Sequence, residues 1–484
     1  MYIENKSRQI ALILSASLAG FMALLDGNIV NISLPYIARY FQVGTGSVVQ
    51  IILVYMVVMA GAMIIFGKLA DQYGVKKIFI SGFVIFTLSS LLCGFAGSLT
   101  MLLAARAIQA LGASMLYSTG ISLISRFIPP QRRGWAFGIF SPMVSLGLLV
   151  GNPLGGLITG FLDWHWIFLI NVPVGIFAVI LAWKAIPGEK NFKNDGARGP
   201  FDFAGALLSF FGLALLVFCI TQSHKMGWNN PVIFIGFPAS LLILMMFVVR
   251  ERKAADPILD LTIFRQRDFS TGMIISLSGY GLMAGSGVLM PFLLTYMLKI
   301  NVEHAGFILM TFAVIFSAMS PVAGNLSDHI SKTRLMQAGM FLAFAGALFF
   351  LLFMEQMHLW IVFLFLIIQG VAYAFFITPN NNFIMSIADP EKQSISSSVF
   401  KLSTNLGQMM GIILMEFLFA VAMPEGFTAN ETHAASLSPE NISSGFRWAY
   451  AGGACMSFIA MILAFTLNDK KTRASVGEEP FVLG

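Results

Sequence analysis

The chain has 484 residues, of which 57% are hydrophobic and only 11% are charged, and its formal net charge is +6. This composition excludes an ordinary water-soluble protein, because soluble domains carry about 25% charged residues. The three cysteines lie in separate apolar segments without metal-ligand spacing, so they are interpreted as small apolar residues and no metal site is expected.

Long apolar segments recur along the whole chain and predict fourteen membrane-spanning helices. The predicted spans are roughly 10–37, 47–69, 77–97, 99–126, 134–160, 164–186, 202–222, 231–250, 268–298, 304–327, 333–354, 358–388, 394–424 and 444–467. If both termini are cytoplasmic, the inner loops and tails hold 23 of the 29 lysines and arginines. The positive-inside rule therefore predicts a multi-pass protein of the plasma membrane with both termini inside, and the positive charge requires no nucleic-acid partner.

Asp26 lies within the first apolar segment, which runs from Ile10 to about Ile37. At 1.5 Å per residue this segment is long enough to cross a bilayer core of about 30 Å. An ionisable group at that depth persists mainly where it faces a cavity or a partner, so Asp26 is a candidate functional residue. The alternative is that it only hydrogen-bonds a neighbouring helix. Asn31, further along the same segment, is a second candidate.

The second and third spans are joined by a polar, glycine-containing segment on the predicted cytoplasmic side, Gly67 to Lys77. Gly67 permits a close approach of helices, and Gly74 permits a tight turn before Lys76 and Lys77. Asp71 is suited to accept N–H groups from a helix N-terminus or to pair with a guanidinium. The segment is interpreted either as a latch on an inner gate or as a static brace.

The fourth span contains Arg106, with Gln109 three residues later on the same helical face. A guanidinium within the membrane needs acceptors, so we expect Arg106 to point inward, towards polar groups on the first or fifth span. Two roles stay open. Arg106 either influences the protonation of Asp26 or only holds helices together.

Small residues recur on the fifth span at Gly147, Gly151 and Gly155, followed by Gly156. The four-residue spacing puts the first three on one face and favours close helix packing, while Pro153 predicts a kink. A hinge and simple packing are both compatible with this pattern.

Glu416 is a second carboxylate within a span, in the outer half of the thirteenth. A membrane acid can titrate or attract an organic cation. We expect Glu416 either to take part in coupling or substrate binding, or to be a helix-end acid that faces the outside.

The second half of the chain repeats the first, in order, at an offset of 256 to 260 residues. The matching pairs include Pro35 with Pro291, Asp71 with Asp328, Gln109 with Gln369, Gly147 with Gly407 and Gly151 with Gly411. Parallel repeats of this kind predict two six-helix bundles with a substrate site at their interface. We therefore expect an N-terminal bundle over residues 1–186, a linker with two inserted spans over 187–267, and a C-terminal bundle over 268–484.

These motifs resemble those of the major facilitator superfamily, specifically its fourteen-helix drug:proton antiporter branch. The likeness covers essentially the whole chain and rests on the segments Leu25 to Pro35, Gly67 to Lys77, Arg106 to Gly112, Gly147 to Gly156 and Trp164 to Pro173. The resemblance implies an all-α polytopic membrane fold of two six-helix bundles plus two central helices. It also implies proton or cation coupling for Asp26, proton relay for Arg106, and a helix bend favouring export for Gly147 to Gly156.

No phosphate-binding loop of the Gly-x-x-x-x-Gly-Lys-Ser/Thr type occurs, so an ion gradient rather than ATP is expected to supply the energy. The sequence thus predicts a proton-coupled exporter of amphipathic or cationic drug-like compounds that works by alternating access. Export of an endogenous metabolite, lipid or siderophore is the alternative, followed by a membrane sensor or scaffold on a transporter fold. We expect a monomer in the bilayer whose partners are protons and a small-molecule substrate, with no enzymatic activity and no cofactor.

Overall fold

The structure, a computed structural model, describes residues 3–129, 132–187, 202–227, 229–253, 266–356, 358–387, 393–423 and 439–467. All regular secondary structure in these ranges is helical. The long helices are α1 (Lys6–Phe41), α2 (Gln50–Tyr73), α3 (Val75–Gly94), α4 (Leu99–Phe127), α5 (Arg133–Phe161), α6 (Asn171–Ala185), α7 (Phe203–Met226), α8 (Pro231–Glu251), α9 (Arg267–Phe292), α10 (Val302–His329), α11 (Lys332–Leu352), α12 (Leu359–Ile387), α13 (Gln393–Ala422) and α14 (Pro439–Phe465). Fourteen helical segments are long and apolar enough to cross a membrane, which confirms the fourteen predicted spans.

The helix ends differ from the predicted spans where polar residues continue or interrupt a helix. Helix α1 begins earlier than predicted because Asn5 caps it, with its Oδ1 accepting from the backbone N–H of Ser7 at 2.9 Å and of Arg8 at 3.3 Å. The predicted sixth span is confirmed over Trp166–Ala185, and it consists of a short helix, Trp166–Leu169, followed directly by α6.

The segment from Gly67 to Lys77 is almost entirely helical. Helix α2 continues to Tyr73, and α3 starts at Val75, so Gly74 alone joins them. Its φ of 101° and ψ of 133° lie in a region that side chains disfavour, which explains why glycine is needed there. The predicted tight turn is therefore a one-residue joint between two helices.

The chain divides into two compact units. The first consists mainly of Met1–Ile258 with Ile300–Phe307, and the second mainly of Leu259–Lys299, Ile308–Phe427 and Ala435–Gly484. The inserted helices α7 and α8 belong to the first unit, where Phe210 of α7 packs directly over Gly61 of α2. The predicted bundle boundaries, at residues 186 and 268, stay predictions.

The internal repeat is visible in how helices pack within each unit. In the first unit Gly147 lets α5 lie against the backbone of α1 at Phe21 and Leu25. In the second unit Gly407 lets α13 lie against the backbone of α9 at Leu277 in the same way. In each unit, the repeated glycine therefore permits close backbone contact between two helices.

Candidate functional site

The first unit contains a buried cluster of charged and amide side chains, centred on Asp26. Arg106 Nη1 donates to Asp26 Oδ2 at 2.6 Å, and Gln109 Nε2 donates to Asp26 Oδ1 at 3.1 Å. The exposed fraction is 0% for Asp26 and 1% for Arg106. The inward direction predicted for Arg106 is thus the one observed, and its partner lies on the first span.

Gln109 connects this ion pair to a third helix. Its Oε1 accepts from Arg106 Nη1 at 2.6 Å and lies 3.8 Å from Cys93 Sγ, while its Nε2 also donates to Ser90 Oγ at 2.8 Å. The cluster therefore joins α1, α3 and α4. Sequence reasoning missed Ser90 and Cys93, because nothing distinguishes them from other small residues on an apolar helix.

Aromatic rings and a backbone carbonyl surround the rest of the Arg106 guanidinium. Its Cζ lies 4.1 Å from the ring centroid of Tyr55 on α2 and 5.6 Å from that of Phe168. Arg106 Nε makes a long contact of 3.5 Å with the carbonyl oxygen of Ile51. Sequence reasoning missed these residues too, since aromatic residues are frequent throughout the chain.

The physical chemistry of this pair indicates what it can do. Asp26 and Arg106 neutralise each other, and removal of either partner alone would leave an uncompensated charge in low dielectric. Protonation of the Asp26 carboxylate likewise leaves a single positive charge on Arg106, shared with neutral neighbours. The cluster is therefore a buried ion pair in which each charge is compensated only while the other is present.

The glycine face of α5 lies against α1 on either side of Asp26. A β-carbon on Gly147 would stand 2.5 Å from the carbonyl oxygen of Phe21 and 3.1 Å from the backbone nitrogen of Leu25. One on Gly151 would stand 2.7 Å from Asn28 Cβ. Only glycine permits this separation, so the face that carries Asp26 is positioned by direct backbone contact.

The remaining residues of this motif lie nearer the end of α5. Gly155 packs against Ile29 and Ile32 of α1, whereas Gly156 points towards the backbone of Val302. Pro153 lies within α5, which continues as one helix from Arg133 to Phe161. The kink at Pro153 stays a prediction.

Asn31 and Glu416 lie apart from the Asp26 hydrogen bonds. Asn31 is partly buried on α1, and its Oδ1 has no hydrogen-bond partner within the described part of the chain. Glu416 lies on α13 in the second unit and is only 8% exposed, six residues before the helix ends at Ala422. This burial does not fit the alternative in which Glu416 is a helix-end acid that faces the outside.

In the Gly67 to Lys77 segment, Lys76 has the best-defined partners. Its Nζ donates to the carbonyl oxygens of Trp183 at 3.0 Å and Ile186 at 2.5 Å, at the C-terminal end of α6. Arg8 Nε donates to Ala185 O in the same turn at 3.0 Å. Cations at a helix C-terminus pair with unsatisfied carbonyls and with the negative end of the helix dipole. Lys76 is therefore a cap that joins α3 to α6.

The other predicted gating residues differ from this lysine. Lys77 is exposed. A β-carbon on Gly67 would lie 3.8 Å from Ser118 Cβ, an ordinary van der Waals distance, so the close approach predicted at Gly67 was wrong. The Asp71 side chain lies outside the described residues, and its role as a latch stays a prediction.

Lys76→Gln is expected to lower the stability of the protein, because the carbonyl oxygens of Trp183 and Ile186 lose a charged hydrogen-bond donor. The expected loss is about 0.5–1.5 kcal/mol. Lys77→Gln is the matched control, since Lys77 is adjacent in sequence but exposed. Thermal unfolding of both variants in detergent measures the difference. Equal melting temperatures would show that Lys76 does not cap α6.

The internal repeat allows the Asp26 cluster to be compared with its counterpart in the second unit. At the offset that relates Pro35 to Pro291, Asp26 corresponds to Leu282, and at the offset that relates Gln109 to Gln369, Arg106 corresponds to Leu366. Both leucines are buried. Gln369 keeps its amide and donates from Nε2 to Ala343 O at 3.0 Å. The charges are thus a feature of the first unit, whereas the amide is common to both.

Among the described residues, no group of three or more His, Cys, Asp or Glu side chains lies close enough together to hold a metal ion. Cys93 is the only cysteine in contact with the Asp26 cluster in that part of the chain.

Comparison with known proteins identifies the architecture. The family model for the Major Facilitator Superfamily matches residues 16–256 and 272–482. The riboflavin transporter RibZ of Clostridioides difficile is 30% identical over 454 residues, which cover 94% of this chain and 96% of that protein. The multidrug export protein EmrB of Haemophilus influenzae is 29% identical over 473 residues, which cover 97% of this chain and 89% of that protein.

Solved structures show the same fold at low sequence identity. A bacterial homologue of the human lysosomal transporter Spinster has a TM-score of 0.67 at 14% identity, with coverage of 98% of this chain and 99% of that one. A D-xylose–proton symporter has a TM-score of 0.65 at 14% identity, with coverage of 96% and 99%. At such identities the likeness concerns the fold alone.

Proposed function

The chain belongs to the major facilitator superfamily of membrane transporters, and we propose that it exports amphipathic, often cationic compounds in exchange for protons. The observation that carries this proposal is the buried Asp26–Arg106 pair, with Gln109 bonded to both members. Ionisable groups buried in membrane spans typically belong to ion or proton pathways. The absence of a nucleotide-binding motif from the sequence leaves an ion gradient as the source of energy.

In the proposed cycle, Asp26 takes up a proton on one side of the membrane and releases it on the other. The two bundles rock between access states, as in other transporters built from parallel repeats. The glycine face of α5 positions α1, and Glu416 supplies a second carboxylate for cationic substrates. With both termini in the cytoplasm, the Lys76 cap and the Gly67 to Lys77 segment lie at the inner end of the first bundle.

The substrate class rests on the relatives. EmrB of Haemophilus influenzae is a multidrug export protein, which favours drug-like compounds. A second candidate is transport of an endogenous metabolite such as a flavin, because the riboflavin transporter of Clostridioides difficile matches over 94% of this chain.

Proteoliposomes with an imposed pH difference test the proposal and separate the two substrate classes. Purified protein is reconstituted, and movement of a cationic dye and of riboflavin is measured in parallel. We expect the dye to accumulate against its gradient only when the pH difference is present. Movement of riboflavin alone would favour the metabolite, and movement of both without dependence on pH would overturn proton coupling. Empty liposomes and liposomes with a dissipated gradient are the controls.

A further inference from the structure

The buried pair raises a physical question about how Asp26 accepts a proton at all. The Arg106 guanidinium lies 2.6 Å from the Asp26 carboxylate, so each group is the counter-charge of the other. When Asp26 becomes protonated, Arg106 loses its only counter-charge in the cluster while it is 1% exposed. A proton can bind only if other groups stabilise the isolated guanidinium, because a bare buried cation is very unfavourable.

The described contacts of Arg106 supply such groups. Gln109 Oε1 accepts from Arg106 Nη1 at 2.6 Å and is neutral. The ring of Tyr55, whose centroid is 4.1 Å from the guanidinium carbon, presents its negative face, and Phe168 at 5.6 Å presents a second. Cation–π attraction grows when the cation is desolvated, as it is here. All three groups are neutral and lie beside Arg106 in both states. The rings attract the guanidinium more strongly when Asp26 is protonated, because an ionised carboxylate 2.6 Å away offsets most of its charge.

We propose that Tyr55, supported by Phe168, is a positioning residue whose aromatic face stabilises the Arg106 guanidinium while Asp26 is protonated. This inference rests on the proposed proton coupling and names the residue that makes the protonated state accessible. The ring rather than the hydroxyl is the active part, since the Tyr55 hydroxyl makes no hydrogen bond to any residue that the structure describes.

The other titratable groups around the pair can be named from each packed helix. They are Asp26 on α1, Tyr55 on α2, Cys93 on α3, and Arg106 and Tyr117 on α4. Tyr117 interacts electrostatically with Tyr55, and Cys93 lies against Gln109. Tyrosine and cysteine are ordinarily neutral near pH 7, so Asp26 is the group whose charge changes.

Infrared difference spectroscopy of the purified protein in nanodiscs tests this role without a substrate. The band of a protonated carboxyl is followed as the pH is lowered, and the part that vanishes in Asp26→Asn is assigned to Asp26. Tyr55→Leu removes the aromatic face and makes protonation of Asp26 harder. We expect its midpoint to fall by about one pH unit, a roughly tenfold loss of proton affinity. Tyr55→Phe keeps the face and should titrate like the wild type.

Each alternative result has a definite meaning. An unchanged midpoint in Tyr55→Leu would overturn the proposal, as would an equal fall in Tyr55→Phe, which would assign the effect to the hydroxyl. If Tyr55→Leu does not fold, Tyr55→Met fills similar volume without a ring and must show the same fall. A wild-type protein in which Asp26 never titrates would overturn proton coupling itself, whereas a titrating wild type with unshifted variants would overturn only the role of Tyr55.

Discussion

Asp26→Asn is expected to abolish accumulation of substrate driven by a pH difference, while downhill exchange continues. The asparagine keeps the shape of the side chain and an acceptor for Gln109, but it cannot take up and release a proton. It also leaves Arg106 without a counter-charge, a change that lowers stability by about 3–5 kcal/mol in buried pairs. Transport in proteoliposomes and thermal unfolding in detergent measure the two effects separately. Asp26→Glu should keep part of the coupled activity, because a titratable group remains.

Two control variants separate lost coupling from lost stability. The double variant Asp26→Leu/Arg106→Leu places in the first unit the residues found at the corresponding positions of the second, Leu282 and Leu366. Replacing both charges by apolar groups is often neutral or stabilising, so this protein should fold but not couple. Asp163→Asn changes a carboxylate whose side chain is 47% exposed, and it should couple normally. If Asp26→Asn still concentrates substrate, the coupling site lies elsewhere, and Glu416→Gln is the next variant to examine.

Gly147→Ala is expected to destabilise the protein and to impair coupling together. The added methyl group would stand 2.5 Å from the carbonyl oxygen of Phe21, so α1 and α5 must separate. Such overpacking typically lowers stability by about 1–3 kcal/mol. Because α1 carries Asp26, the separation also displaces the carboxylate from Arg106 and Gln109. Thermal unfolding and pH-driven transport are the measurements, and Gly147→Leu should prevent folding.

Gly138→Ala is the matched control on the same helix. A β-carbon on Gly138 would meet nothing within 4 Å, so the substitution adds only helix propensity and should stabilise by about 0.5–1 kcal/mol. Gly27→Ala, beside Asp26 and equally open, controls for proximity to the cluster. Melting temperatures that are equal for Gly147→Ala and Gly138→Ala would show that close contact between α1 and α5 is not required.

The features that could be predicted from the sequence depend on how deep a residue lies within an apolar segment and on the spacing of residues along one helix. Asp26 stood out because a carboxylate in the middle of an apolar segment is unfavourable without a partner, and Arg106 because a guanidinium there requires acceptors. The glycine face of α5 followed from helical periodicity. Each of these signals lies within one helix, so a single chain segment is enough to carry it.

Features that depend on which faces of different helices meet could not be predicted. Tyr55 and Ser90 lie in apolar helices with many similar residues, and only the tertiary packing brings them to Arg106 and Gln109. The partners of Lys76 are backbone carbonyls at the end of α6, which carry no side-chain signature. At Gly67 the error is the opposite one. The glycine predicted a close approach of helices, but a β-carbon there would make only an ordinary van der Waals contact.

The neutrality of the Asp26–Arg106 pair has a consequence for the response of the protein to membrane voltage. In its ionised form the pair carries no net charge, so the electric field exerts no net force on it. With one proton bound, the same site carries one positive charge, and moving that charge across the whole field is worth about 2.3 kcal/mol per 100 mV. In the proposed cycle, voltage therefore acts on this site only in the protonated step, and it acts on the unprotonated step only through the charge that the substrate carries.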